Sequence, residues 1–180
     1  MTADLSGGAV VPAAPRGTGA SATALLALTG AVAVSALVSA RFAPAPTNPT
    51  RWLDYKLLRK PSYTPPDPAF ALWGPLYAAI IASGYAVWRG TPGPARDRAL
   101  AHWLGIQVLN PLSLWLGFGA RLRGAAALET VATAGNAAAY VDAARRVSPV
   151  GAILAVPYAA WVAFVALLTE ELWRRNDGRR

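Results

Sequence analysis

The chain alternates between long apolar runs and short clusters of charge. Four runs contain no Asp, Glu, Lys or Arg over 24, 21, 22 and 23 positions, and a fifth of 18 positions contains only Glu129. A helix needs about 20 apolar residues, each rising about 1.5 Å, to cross roughly 30 Å of hydrocarbon. The pattern therefore predicts an all-α integral membrane protein, a bundle of five transmembrane helices. The predicted spans are 21–40, 68–88, 99–120, 124–141 and 147–173.

Two of these spans need further argument. The run 124–141 is rich in Ala, Gly and Thr, and it is accepted because short basic loops join it to strong spans on both sides. Small residues also let helices approach closely in lipid. In the first span, Val38-Ser39-Ala40 resembles a signal-peptidase site. Its apolar run exceeds the usual ~7–15 residues of a signal core, so a retained helix is favoured over a cleaved signal.

The segments outside the spans are of three kinds. Residues 1–20 are rich in Ala, Gly and Pro and predict a disordered N-terminal tail. The long connection 42–67 is rich in proline and contains the apolar-basic run Trp52–Lys60, which predicts a short helix at the membrane interface. The membrane domain is thus expected to occupy 21–176, followed by a short basic tail at 177–180.

Composition supports a membrane protein and excludes several other classes. The chain is 54% hydrophobic and 14% charged, whereas soluble domains average about 25% charged residues. The net charge of +8 does not indicate a nucleic-acid partner, because the basic residues fall between apolar runs and not along one helix face. The absence of cysteine and the single histidine exclude disulfides, thiolate chemistry and a histidine zinc cluster.

The loops differ in basic charge, which predicts an orientation. Alternate loops placed on opposite sides give eleven Lys and Arg on the side of the long connection and the C-terminus, and six on the other side. Cytoplasmic loops carry such an excess. We therefore expect the N-terminus outside and the C-terminus in the cytoplasm, in a bacterial inner (cytoplasmic) membrane.

Polar and aromatic residues inside the spans are candidates for a ligand site, since polar groups in lipid need a partner or a purpose. Gln107 and Asn110 lie three residues apart on one face of the third span. This spacing predicts amides directed into a pocket or, alternatively, hydrogen bonds between helices. Trp73 and Tyr77 share a face of the second span in the same way.

The last span carries the densest aromatic pattern. Pro157, Trp161 and Val165 follow one face, with Tyr158 and Phe164 beside it. Trp161 lies deeper than the interface where tryptophan usually anchors a helix. Facing aromatic planes suit a flat hydrophobic ligand, although ordinary helix packing produces the same spacing.

Other polar residues predict no catalytic or metal site. The fourth span has one polar stripe, which is expected to face the bundle interior or a partner subunit: Glu129, Thr133, Asn136 and Tyr140. His102 lies near the start of a span, where a polar ring is easily accommodated, and haem ligation is the less favoured reading. Glu170 and Glu171 are adjacent and diverge by about 100° on a helix, so they form no paired acid/base site. No nucleophile elbow or phosphate loop is present.

Three segments between Tyr55 and Asn176 carry a family resemblance. The first is Tyr55-x-x-Leu58-x-Lys60-Pro61-x-Tyr63-x-Pro65-Pro66, followed by Phe70 and Trp73-x-x-Leu76-Tyr77. The second is Gln107-x-x-Asn110-x-x-x-x-Trp115 with Phe118. The third is Val156-Pro157-Tyr158-x-x-Trp161-x-x-Phe164, ending in Trp173-Arg174-x-Asn176. In this order they resemble the tryptophan-rich sensory protein / translocator protein (TspO/MBR) family, also called the peripheral benzodiazepine receptor family.

The resemblance implies a five-helix bundle, often a homodimer, with a pocket that opens toward the first connection, which acts as a lid. It implies porphyrins as ligands, with sterols or benzodiazepine-site compounds in some members, and no required cofactor. Spacing and resemblance together assign ligand binding to Trp73, Tyr77, Gln107, Asn110, Pro157, Tyr158, Trp161, Phe164 and Val165. They assign the lid to Tyr55, Lys60, Tyr63, Pro65 and Pro66.

The chain departs from the family pattern near the lid. Asp54 and Tyr63 stand where tryptophans are usual, and Thr169 replaces an expected asparagine. One residue fewer separates the proline pair from Trp73, which is expected to rotate the lid's attachment by about 100°. Ligand preference is therefore expected to differ from that of better-known members.

The sequence favours a receptor or carrier for a planar hydrophobic ligand, most readily a tetrapyrrole, with a regulatory or stress-related role. One alternative is a porphyrin-degrading membrane enzyme in which Trp161 or Trp73 transfers electrons. Another is a scaffold whose pocket has decayed. The expected partners are the ligand, the lipid bilayer and a second copy of the chain.

Overall fold

The computed structural model describes residues 18–177, which form six α-helices. Their bounds are α1 Thr18–Phe42, α2 Pro49–Leu57, α3 Trp73–Trp88, α4 Pro94–Leu114, α5 Arg123–Arg145 and α6 Pro149–Asn176. The all-helical prediction is confirmed, since no strand occurs between residues 18 and 177. The helix α1 begins at Thr18, three residues before the predicted start of the first span at 21. The rest of the predicted N-terminal tail, 1–17, and the basic residues at 178–180 lie outside the described residues.

Several helices are long and apolar enough to cross a bilayer. Three segments meet this description: Gly19–Phe42, Asp67–Trp88 and Pro149–Asn176. The helices α4 and α5 have similar lengths, 21 and 23 residues. They are less apolar, because α4 begins with a charged turn and α5 is rich in alanine and carries Glu129. The helices therefore support an integral membrane protein. The predicted count of five transmembrane helices holds only if α4 and α5 also cross the bilayer.

The end of the bundle away from α2 is closed by buried hydrogen bonds. The Trp103 indole N–H donates to the Ile80 carbonyl over 2.9 Å, which joins α4 to α3. The Ser83 hydroxyl lies 2.6 Å from the Tyr140 hydroxyl and donates to the Gly151 carbonyl over 2.7 Å. Since buried polar groups are costly unless paired, these bonds favour one packing of α3, α4, α5 and α6.

The polar stripe of α5 is paired within the bundle. Asn136 Oδ1 lies 2.9 Å from His102 Nδ1, and Asn136 Nδ2 donates to the His102 carbonyl over 3.0 Å. The Thr133 hydroxyl donates to Glu129 Oε1 over 2.6 Å. The bonds of Asn136 to α4 and of Tyr140 to α3, together with the burial of Thr133, place the stripe toward the bundle interior. His102 contacts α5 through this amide.

The helix α2 lies at the other end of the bundle, and hydrogen bonds connect α2 and the segment just after it to the bundle. Asp54 accepts a hydrogen bond from the Arg121 guanidinium over 2.7 Å. The Asn176 side chain binds both backbone groups of Arg59, accepting from its N–H over 3.0 Å and donating to its carbonyl over 3.2 Å. The long connection, the α4–α5 loop and the end of α6 therefore meet at one end of the bundle.

Two irregular turns shape this lid end. The junction before α3 is a 3₁₀ helix, Asp67–Leu72, which winds more tightly than an α-helix. At the end of α4 a π-helical turn, Trp115–Gly119, is closed by the Ala120 N–H donating to the Trp115 carbonyl over 2.7 Å. Arg121 then adopts a left-handed φ of 58°. This reversal leads into α5 and brings the Arg121 side chain to α2.

Candidate ligand-binding site

A cavity of about 560 Å³ lies beneath α2, at the lid end of the bundle. Its walls come from α1, α3, α4, α5 and α6, and Trp52, Tyr55 and Pro65 close it from the lid. The volume falls within the roughly 300–1,000 Å³ typical of small-molecule sites. The cavity is therefore large enough for a ligand and is formed by most of the bundle.

One wall of the cavity consists of aromatic rings from α3 and α6. The ring centroids of Trp73 and Tyr77 are 5.6 Å apart, and those of Trp73 and Trp161 are 6.3 Å apart at an interplanar angle of 86°. The Phe164 ring lies 5.6 Å from Trp161. Each pair on one helix is about a turn apart and so projects from the same side. The rings give an apolar surface of rigid planes, which suits a flat ligand.

Two hydrogen-bond donors of the cavity-lining residues have no partner among the described residues. Asn110 Oδ1 accepts the Tyr158 hydroxyl over 2.7 Å, which leaves the Asn110 Nδ2 amide buried and unpaired. Trp161 Nε1 is also buried without an acceptor. A buried donor without a partner costs about 1–3 kcal/mol. A ligand that offers a carbonyl, a carboxylate or a ring nitrogen would reduce this cost.

Six of the nine residues assigned to ligand binding line the cavity: Trp73, Tyr77, Asn110, Trp161, Phe164 and Val165. The other three do not. Gln107 is buried and donates to the Trp103 carbonyl over 3.2 Å. Tyr158 is also buried, and it lies behind the wall, donating to Asn110 and packing edge-on against Trp73 with ring centroids 6.4 Å apart. Pro157 is exposed on the outer side of α6, one turn nearer the closed end than Trp161. A ligand confined to the cavity would not contact these three.

The predicted lid residues occupy different positions around the mouth. Tyr55 and Pro65 line the cavity. The Lys60 ammonium lies 3.8 Å from the centre of the Tyr55 ring, on the lid. The Tyr63 ring packs edge-on at 6.3 Å from Phe164 and is half exposed, while Pro66 is exposed. The lid therefore presents one tyrosine and one proline of this set to the cavity.

Charge at the site is concentrated at the mouth. Among the described cavity-lining residues Asp67 is the one charged side chain, and it pairs with Lys56 over 2.6 Å. Burial raises the pKa of Tyr55, and the negative charge of Asp67 raises it further. Burial lowers the pKa of Lys60, nearby Lys56 lowers it further, and Asp67 opposes both effects. Tyr55 is consequently a neutral hydroxyl at physiological pH.

Sequence reasoning missed several residues of the cavity. Ala36 and Ser39 of α1 and Thr130 of α5 line it, but small side chains on an apolar span carry no chemical signature. Phe118 also lines it and packs edge-on against Tyr55 at 6.2 Å. Phe118 belongs to the second resemblance segment, but its direction depends on the π-helical turn, which shifts the phase of the helix.

Comparison with known proteins extends over most of the chain. Residues 22–174 match the TspO/MBR family. The chain is 40% identical over 133 residues to a translocator protein of Ovis aries, covering 72% of this chain and 78% of that protein. It is 41% identical over 129 residues to that of Sus scrofa (70% and 76%) and 38% identical over 133 residues to that of Homo sapiens (72% and 78%).

Proposed function

This chain belongs to the TspO/MBR family, and we propose that it is a membrane receptor or carrier for a flat hydrophobic ligand, with a porphyrin-like tetrapyrrole as the first candidate. The observation that carries the proposal is the cavity wall of Trp73, Tyr77, Trp161 and Phe164, beside two buried donors without acceptors. Stacking on the rings would hold a planar body, and the donors would orient it.

A binding role is favoured over acid–base catalysis by the chemistry of the described cavity wall. Asp67, its one carboxylate, lies at the mouth and is engaged by Lys56. The remaining polar side chains are one amide, several hydroxyls and three indoles, which recognise a ligand without supplying a general acid or base near neutral pH. We extend the proposal to a regulatory or stress-related role and to a homodimer on the family resemblance.

The same proposal includes five membrane crossings with the lid on the cytoplasmic side. The helices α4 and α5 pack against α1, α3 and α6. If those three helices cross the bilayer, α4 and α5 lie at the same depth and would cross it as well. The basic residues of the lid, the α4–α5 loop and the C-terminal segment meet at one end. Excess basic charge favours the cytoplasm.

Porphyrin titration of the purified protein in lipid nanodiscs tests the function. Tryptophan emission is recorded in the dark as porphyrin is added, and absorption spectra are then followed in light and in darkness. Stoichiometric, reversible quenching supports a receptor or carrier. Formation of a new pigment in molar excess over protein would favour the porphyrin-degrading enzyme. A chain that binds no tetrapyrrole would contradict the proposal.

A further inference from the structure

The cavity and its lid differ in charge. No Lys, Arg or His lies among the described residues that line the cavity. The lid segment above it contains Arg51, Lys56, Arg59 and Lys60. A ligand with an anionic group therefore finds no counter-charge in the depth of the cavity, and any such group is best placed at the lid.

Two lysines of the lid are held against aromatic rings. The Lys56 ammonium lies 4.4 Å from the centre of the Trp52 ring, and the Lys60 ammonium lies 3.8 Å from that of Tyr55. The Trp52 and Tyr55 rings stack with their centroids 5.9 Å apart. Both rings line the cavity. The two ammonium groups are thus placed over the rings that form the cavity's roof.

These two lysines differ in their counter-ions. Lys56 pairs with Asp67 over 2.6 Å. No carboxylate among the described residues lies within ion-pair distance of Lys60; its ammonium lies over the Tyr55 ring, and Asp67 stabilises its charge only from a longer distance. Burial lowers the pKa of Lys60, which is the behaviour of a cation that lacks a full counter-charge. An incoming anion would supply that charge.

We propose that Lys60 recognises a carboxylate on the edge of the ligand, so that the ligand is a flat apolar molecule with an anionic edge directed to the lid. The proposal rests on the proposed function and goes further by assigning the ligand's charge and direction. The apolar body would lie against Trp73 and Trp161. The flexible lysine stem lets the ammonium reach past Tyr55 to the rim.

Asp67 has the opposite effect in this arrangement. It lines the mouth, repels an incoming carboxylate and engages Lys56. Replacing it with asparagine would remove the repulsion and free a second cation. The assignment of Lys60 therefore predicts opposite effects for two neighbouring charges, which a general loss of stability cannot produce.

A comparison of two porphyrins tests the proposal: a porphyrin dicarboxylate and its dimethyl ester, which keeps the macrocycle and removes the charge. Both are titrated against the full chain in nanodiscs of neutral lipid. We expect Lys60→Gln to weaken the dicarboxylate by about tenfold, equivalent to about 1.4 kcal/mol, and to leave the ester within twofold. Lys60→Arg should retain binding, and Asp67→Asn should strengthen the dicarboxylate alone. Arg59→Gln, an adjacent exposed residue with the same charge change, is the matched control.

The outcomes separate this proposal from the proposed function. If wild type binds acid and ester equally and Lys60→Gln changes neither, the function stands and the assignment of Lys60 is wrong. An equal loss in Arg59→Gln and Lys60→Gln would show general charge attraction and would also overturn it. If neither porphyrin binds wild type, the proposed function fails, and the Lys60 assignment fails with it.

Discussion

The unpaired amide of Asn110 gives the site its sharpest single-residue prediction. Its Nδ2 group is buried without a partner, while its oxygen accepts the Tyr158 hydroxyl over 2.7 Å. Asn110→Leu keeps the volume and removes the donor offered to the ligand. A hydrogen bond of this kind contributes about 1–2 kcal/mol, which corresponds to a roughly 5- to 30-fold loss of porphyrin affinity.

Tyr158→Phe is the matched control for this substitution. It removes the hydroxyl that donates a hydrogen bond to Asn110 Oδ1 but leaves the Asn110 Nδ2 group in place. Both variants break the same buried bond, but Asn110→Leu also removes the unpaired Nδ2 donor. Tyr158→Phe should therefore lower the free energy of unfolding by about 1 kcal/mol, and Asn110→Leu should lower it by no more than that. Only Asn110→Leu should lower affinity, measured by quenching of tryptophan emission beside thermal unfolding in detergent. Equal affinities for Asn110→Leu and wild type, or equal losses in both variants, would refute the reasoning.

Three further predictions concern the closed end, the lid and the orientation. Ser83→Ala leaves the Tyr140 hydroxyl and the Gly151 carbonyl without their shared partner, so the free energy of unfolding should fall by about 1–3 kcal/mol while porphyrin affinity stays unchanged. The control Ser62→Ala, at an exposed position, should change neither quantity. A Ser83→Ala variant as stable as wild type would contradict this prediction. Asn176→Ala releases the backbone of Arg59 from α6, so stopped-flow measurement of tryptophan quenching should show faster porphyrin association and release. Unaltered rates would mean that these two hydrogen bonds do not restrain the lid. A reporter that works only in the cytoplasm should be active when fused after Arg180, and activity of a periplasmic reporter instead would reverse the topology.

The helices could be predicted from charge-free runs because lipid leaves no alternative for a long uncharged segment. The predicted spans at 21–40 and 147–173 correspond to α1 and α6; α1 runs two or three residues further at each end, whereas α6 begins two residues later and ends three residues later than predicted. The 3₁₀ junction and the π-helical turn could not be predicted. Their hydrogen-bond patterns depend on how the lid and α5 pack, and no local residue pattern specifies that packing.

The site was predictable where spacing and family resemblance pointed to the same face. Trp73 and Trp161 line the cavity as their positions predict, although ligand contact itself stays a prediction. Spacing places Pro157 beside Trp161, but it defines only the angle around one helix and not where the neighbouring helices leave a space. For the same reason Ser39 of α1 could not be found, since its role depends on packing against α3 and α4.

The central claim is that a planar ligand lies in the cavity against Trp161, and the porphyrin affinity of Trp161→Ala tests it most directly. The Trp161 ring contacts Trp73 at 6.3 Å and Phe164 at 5.6 Å, so its removal opens the aromatic wall. Affinity should fall in the order wild type, Trp161→Phe, Trp161→Ala, with Ala losing at least about tenfold, or about 1.4 kcal/mol. Trp88→Phe, at the closed end, should bind like wild type. Wild-type affinity in Trp161→Ala would show that the ligand lies elsewhere.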